Sequence, residues 1–237
     1  MKSRLCGLLA AGVAVLSADA PGHRHSLPSA DQIITGMLKQ SAKQDYELRA
    51  YSVTRRYTLR NRHVNPNAGM TALLTYQAGR GKKFSSLRNE GLPAVSERAL
   101  VRLMKEEETT SKENPSGNAV SPSNYEFTLL GEETHDGRLC YRFKVVPRQK
   151  SKFLLDGDVW VDTQELAVVS LEGHPAKSLS FWVGRPLIEQ HFAPVHGFWM
   201  PSRNKTVADV FIAGEAELDI EYWDYKFDFP APSLRAP

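Results

Sequence analysis

The sequence predicts an α+β domain: one large antiparallel sheet carrying two amphipathic helices. Three observations predict it. From Asn124 onward, short runs rich in Val and aromatic residues follow one another, each closed by Gly, Pro or Asp turn formers. Two earlier stretches, residues 29–44 and 94–108, place their apolar residues at helical spacing instead. Residues 157–201 hold three of the four tryptophans, Trp160, Trp182 and Trp199, each inside a short apolar run. A sheet bearing so many rings needs a cover.

Taken in order, Ser29-Ala-Asp-Gln32 has capping-box spacing and opens a helix with Ile33, Ile34, Met37, Leu38 and Ala42 on one face. The period then falls to two. Tyr51, Val53, Tyr57 and Leu59 share one side of a long strand, and Arg55 falls on that same apolar side. A second strand covers residues 70–78, with Met70, Ala72, Leu74 and Tyr76 on one face, and Gly79-Arg-Gly81 turns it into residues 82–88. The second helix, 94–108, carries Val95, Ala99, Leu100, Leu103 and Met104 as its stripe. Residues 109–123 are polar without apolar period and are expected as a mobile loop.

Strands are then expected at 125–130, 139–146, 166–171, 179–183, 187–192, 198–204, 206–212 and 216–227. A further hairpin, 153–155 and 159–161, is expected around an Asp156-Gly-Asp158 turn. The total is about eleven strands, and a sheet that large must curl, split or close. The two helices can then fill its concave apolar face.

Residues 1–20 read as a secretory signal: Lys2 and Arg4, an apolar run over 5–16, and Ala18-Asp-Ala20 as a cleavage site, with cleavage at Ser17 or Ala18 equally open because Pro21 follows Ala20. The apolar run, about 12 residues, falls short of the roughly 20 that span a bilayer. Residues 21–28 follow as an exposed linker, 29–230 as a single domain and 231–237 as a flexible tail. Cys6 lies inside the signal and follows Leu5 rather than a small residue, which argues against an acylated lipoprotein. Cys140 is then the one thiol left, so no intramolecular disulfide and no multi-thiolate metal site is expected.

The net charge of +3 argues against a dedicated nucleic-acid binder. Its distribution is uneven: residues 49–88 hold nine Lys or Arg and no acid, whereas 209–228 are acidic with only Lys226 opposing. Solvated strand faces of opposite sign would account for this. A basic face toward anionic lipid or an acidic partner is the sharper reading.

No catalytic constellation emerges. Ser202-Arg-Asn-Lys205 matches a serine–lysine motif but lies in a strand-like run, where that chemistry needs a helix start. His174, His191 and His196 share no common face by spacing. Asp156, Asp158 and Asp162 lack a calcium-loop pattern, and Glu106, Glu108, Glu132 and Glu133 read as solvated. Neither a cofactor nor a metal is expected. What stands out is apolar and aromatic: Tyr51, Val53, Tyr57, Leu74, Tyr76, Trp160, Phe181, Trp182, Phe198, Trp199 and Tyr222. They either fill an ordinary core or line an apolar pocket between sheet and helices.

The whole pattern resembles the LolA/LolB-like outer-membrane lipoprotein-sorting family. An exported chain opens with a helix and a long strand and inserts a second helix. It ends in a meander with Trp160-Val-Asp162, Phe181-Trp182, Gly197-Phe-Trp199-Met-Pro201 and Ile220-Glu-Tyr222. The resemblance implies an unclosed antiparallel β-barrel whose concave side is covered by helices around an apolar cavity. It further implies a periplasmic, non-enzymatic carrier of lipid or lipoprotein acyl chains, monomeric and at most peripheral to the membrane. The alternative it implies is an envelope regulator or scaffold of the RseB/MucB type that binds a protein partner. Independently of the resemblance, Arg55 on an apolar stripe must be paired, and it is expected to latch the helical lid.

Overall fold

The computed structural model describes residues 27–61, 68–178, 184–211 and 214–228. The expected signal, most of the linker, the strand at 179–183 with Phe181 and Trp182, and the tail lie outside the described residues. Helices α1 (Ala30–Glu47) and α2 (Ala94–Glu113) accompany ten strands. These are β1 (Ala50–Arg60), β2 (Gly69–Gln77), β3 (Gly81–Glu90), β4 (Tyr125–His135) and β5 (Arg138–Pro147). They continue with β6 (Leu155–Asp162), β7 (Val168–Pro175), β8 (Leu187–Val195), β9 (Phe198–Val210) and β10 (Gly214–Phe227).

All pair antiparallel in a single sheet of order β3-β2-β1-β10-β9-β8-β7-β6-β5-β4. The order explains how the helices come to lie on the sheet. The chain builds β1 to β3 toward one edge, crosses through α2 to the opposite edge, and meanders back until β10 pairs with β1. β3 and β4 remain as the two ends, so the barrel is unclosed, as expected. No helix among the described residues is long and apolar enough to cross a membrane.

The helices divide one face of the sheet between them. Ile33 and Met37 of α1 seal against Tyr125, Tyr141, Phe143, Val145, Val159, Val161 and Leu171. Its capping box forms, with Ser29 and Gln32 exchanging both bonds. Leu100 and Met104 of α2 pack on Tyr57, Met70, Ala72 and Ile220 at the other half.

Three elements differ from the sequence reading. Asp156-Gly-Asp158 is no turn; it lies in the first half of β6. Gly157 sits opposite Gly173 of β7, so close that a Cβ on Gly157 would strike the Glu172 carbonyl. The glycine pair serves backbone approach rather than chain reversal. Helix α2 continues past Glu108 to Glu113, through residues expected as loop. There Thr109 and Ser111 hydroxyls bond the Lys105 and Glu108 carbonyls, which satisfies groups that usually disfavour helix interiors. The two strands expected at 198–204 and 206–212 are one, β9, in which Lys205 pairs with Glu217 on β10.

Candidate functional site

Period-two alternation in β1 sends Tyr51, Val53, Arg55 and Tyr57 to the face that α2 covers. In register, β2 brings Tyr76, Leu74, Ala72 and Met70 beside them, and β10 brings Tyr222 beside Arg55 and Ile220 beside Tyr57. Six of the expected lining residues, Tyr51, Val53, Tyr57, Leu74, Tyr76 and Tyr222, are thus gathered on three adjacent strands. Phe198 joins at the edge of this group, packed with Leu48, Met200, Tyr51, Tyr225 and Phe227. Tyr51 and Tyr76 stack at 5.2 Å between ring centroids, Phe198 and Phe227 at 5.3 Å. Burial pushes the Tyr51 hydroxyl up to about 12 despite Arg55 nearby, and it raises Tyr57 and Tyr222 as well. These phenols stay neutral hydrogen-bonding groups.

In the middle of this apolar floor lies Arg55, 3% exposed. Its guanidinium meets Glu107 of α2 in a two-bond fork at 2.8 and 3.0 Å, and it donates to the Tyr57 hydroxyl at 3.4 Å. The rings of Tyr222 and Phe84 lie 4.7 and 5.2 Å from it. Among the described residues its Nε has no hydrogen-bond partner. Lys82 reaches the same Glu107 at 2.7 Å. Burial would raise the Glu107 carboxyl, but Lys82 and Arg55 override it and hold it at about 2. The expected pairing of Arg55 is therefore present, and its partner belongs to the covering helix.

The attachment of α2 is otherwise polar. The Phe84 amide donates to Glu108 at 2.6 Å, the Lys82 amide to Ser111 at 2.8 Å, and Lys152 pairs with Glu106. Along its 20 residues only Leu100 and Met104 are buried, while Val95 of its expected stripe is 77% exposed. The basic run of 49–88 finds its acids in the same region: Arg56 and Arg88 on Glu90, Arg60 on Glu217.

Trp160 and Trp199 are not part of this floor. They form a separate cluster with Cys140, Ala167, Val169 and Phe192 on the other face of the sheet. A polar shell covers it. The Trp160 indole donates to Glu133 at 2.6 Å and that of Trp199 to Glu165 at 2.7 Å. Arg142 and Arg138 lie over the two rings at 5.4 and 4.9 Å. Asp158 and Asp162 hold those guanidiniums, and Asp156 lies 3.5 Å from Lys144, so the three aspartates are spent on separate cations. Ser202-Arg-Asn-Lys205 lies within β9, with Arg203 on Asp219.

The three histidines weighed from sequence also stay apart. His174 bonds the Pro186 carbonyl, and His196 sits edge-on to Phe227. His191 meets two residues that spacing did not suggest. Its Nδ1 lies 2.8 Å from Asp136 Oδ2, and His135 Nε2 lies 3.7 Å from the same oxygen. Ser170 Oγ is 2.7 Å from His135 Nε2, a nucleophile-to-base distance. That trio is no hydrolase triad: Asp136 approaches the same nitrogen that Ser170 uses and not the far one, and Ser170 is 2% exposed. A hairpin Asp-Gly beside a histidine was the one signal in the sequence.

Comparison with known proteins adds the following. Residues 116–223 match a family model described as a family of unknown function (DUF5686). Among curated proteins, none matches the sequence. A putative outer membrane lipoprotein-sorting protein domain from Vibrio parahaemolyticus is 13% identical with a TM-score of 0.48, over 86% of this chain and 96% of that one. A DUF1329 family protein from Desulfovibrio piger is 11% identical with a TM-score of 0.43, over 82% and 93%. The chain is likewise similar to a LolA superfamily protein from Nitrosomonas europaea, at 11% identity and a TM-score of 0.39 over 86% and 96%.

Proposed function

We propose that this chain is a non-enzymatic periplasmic carrier that takes lipid or lipoprotein acyl chains between α2 and the β1–β2–β10 face. The observation that carries the reading is how α2 is held. It covers an apolar floor of Tyr57, Met70, Ala72 and Ile220, yet buries only two side chains of its own and is fastened by a seam of ion pairs centred on Arg55 and Glu107. A buried ion pair adds little net stability compared with apolar packing of the same volume. Such a cover is specific in position, and lifting it exchanges ion pairs for water more than it breaks apolar packing.

Lifting α2 uncovers apolar surface that an acyl chain can replace. Each methylene so buried contributes about 0.8 kcal/mol, so a chain of ordinary length compensates for the lost Leu100 and Met104 contacts. Arg55 then remains on the floor, placed to meet an anionic or carbonyl group at the head of the ligand. The protein would act as a monomer, with at most peripheral membrane contact at loading or release.

Purification from its native envelope followed by lipid extraction and native mass spectrometry tests this. Co-purified acyl lipid, displaced by a fluorescent fatty acid, is the expected result. Arg55→Leu is expected to change uptake and release rates. A consistently empty protein that binds no acyl probe would end the reading. Recovery instead of a stoichiometric protein partner would favour the regulator or scaffold.

A further inference from the structure

The β4–β5 hairpin closes on Asp136-Gly137, both residues with positive φ (50° and 75°), the turn that follows sheet twist most tightly. Past the register shift at Leu129/Gly131, this hairpin carries its tip over the outer face of β6, β7 and β8. There the His135 ring stacks on Trp160 at 4.1 Å and 13°, and its Nε2 reaches Ser170 of β7. The Asp136 carboxylate, aimed by the turn, reaches His191 of β8. Two imidazole nitrogens and one carboxylate oxygen, from residues 55 apart in sequence, end within 4.8 Å of one another.

We infer that His135, Asp136 and His191 form a binding site for a divalent transition-metal ion of the zinc class. Two imidazoles with one carboxylate is a donor set that suits such ions and disfavours calcium or magnesium, which take oxygen ligands. Donor atoms around a tetrahedral zinc stand about 3.3 Å apart, from metal–ligand bonds of about 2.0–2.2 Å. The separations here, 2.8 Å and 3.7 Å to the shared Asp136 oxygen, bracket that value. The three donors already lie within 4.8 Å of one another, and on binding His135 Nε2 exchanges its Ser170 hydrogen bond for the metal.

The supports are in place on one side and absent on the other. Trp160 backs the His135 ring and is itself fixed by Glu133 and Arg142. The Asp136 side chain is half exposed, which leaves open positions for water or for a donor from outside the chain. Bound metal would clip the hairpin tip, and with it the edge strand β4, to β8. The site lies on the face opposite the α2-covered floor and is independent of the carrier reading.

The test uses untagged protein titrated with Zn2+ by calorimetry and with Co2+ by visible absorption. Trp160 fluorescence serves as a third signal through its contact with His135. One equivalent of Zn2+, a tetrahedral Co2+ band and a fluorescence change are expected. Asp136→Asn keeps a residue suited to the left-handed turn, and His191→Ala leaves the hairpin untouched. Each is expected to remove the Co2+ band and weaken Zn2+ by more than the roughly tenfold that losing even a second-shell partner costs. His196→Ala is expected to change nothing. The loss of one equivalent isolates this site from other imidazoles in the chain. Absence of binding to the wild type, or unchanged titrations in Asp136→Asn and His191→Ala with their fold verified by circular dichroism, would overturn the inference.

Discussion

Gln44, in the last turns of α1, clamps the backbone of Trp199. Its side-chain amide accepts from the Trp199 N–H at 2.8 Å and donates to the Trp199 carbonyl at 3.0 Å. β9 and β10 stop pairing at Arg203–Glu221, so the start of β9 lacks that neighbour, and Gln44 and the Tyr225 hydroxyl on the Pro201 carbonyl stand in for it. Gln44→Ala is expected to cost about 1–3 kcal/mol, because two part-buried backbone groups lose partners. Urea unfolding measures it. A change below a few tenths of a kcal/mol would show that water replaces the clamp.

The other helix is held in the opposite manner, by charge. Glu107→Ala leaves the Arg55 guanidinium buried without its carboxylate, and a loss of roughly 3 kcal/mol is expected, the low end for a broken buried pair because Glu107 itself reaches solvent. Arg55→Leu with Glu107→Leu should instead match or exceed wild-type stability, by up to about 4 kcal/mol. Hydrogen exchange of the α2 amides should slow in the double variant and quicken in Glu107→Ala. The same rate in both would remove the latch from the account.

Acid should release this helix within a defined window. The Glu107 carboxyl sits at about 2 in the folded protein against an ordinary 4.5, so its stabilisation is complete above about 4.5. It declines as pH falls from there and is gone below about 2. Amide exchange in α2, measured against that in α1, should accelerate through this window. Glu107→Gln should flatten the dependence; an unaltered profile in that variant would assign the acid response elsewhere.

Gly157→Ala is expected to destabilise severely, by about 3 kcal/mol or more, since the new methyl meets the Glu172 carbonyl and not a yielding side chain. Thermal unfolding decides it. A near-neutral result would mean that β6 and β7 can separate locally without cost.

The sequence made the floor of the site readable because β1 and β2 alternate cleanly: each has a polar side and an apolar side, and period two assigns them. Arg55 was visible for the same reason, as a cation on the wrong side. The tryptophans were not assignable. Val159-Trp-Val161 and Phe198-Trp-Met200 are unbroken apolar runs, and such runs occur where a strand is buried on both faces. Alternation then says that Trp160 and its neighbours oppose one another without saying which faces the helices. The Asp156-Gly-Asp158 turn failed on similar grounds, because the glycine answers to Gly173 on another strand and not to local geometry.

What the sequence by itself determined is local: the capping box at Ser29, the helical and strand periods, the Gly79-Arg-Gly81 turn, and a sheet too large to stay flat. What only the tertiary structure decided is partnership. Glu107 reaches Arg55 across 52 residues and His191 reaches Asp136 across 55, because α2 folds back over the β1–β2 half of the sheet and the β4–β5 hairpin curls over its other face. Contacts of that kind depend on register and coil summed over many strands. The chain near Arg55 shows that a partner is needed but does not single out Glu107, and nothing near Asp136 singles out His191.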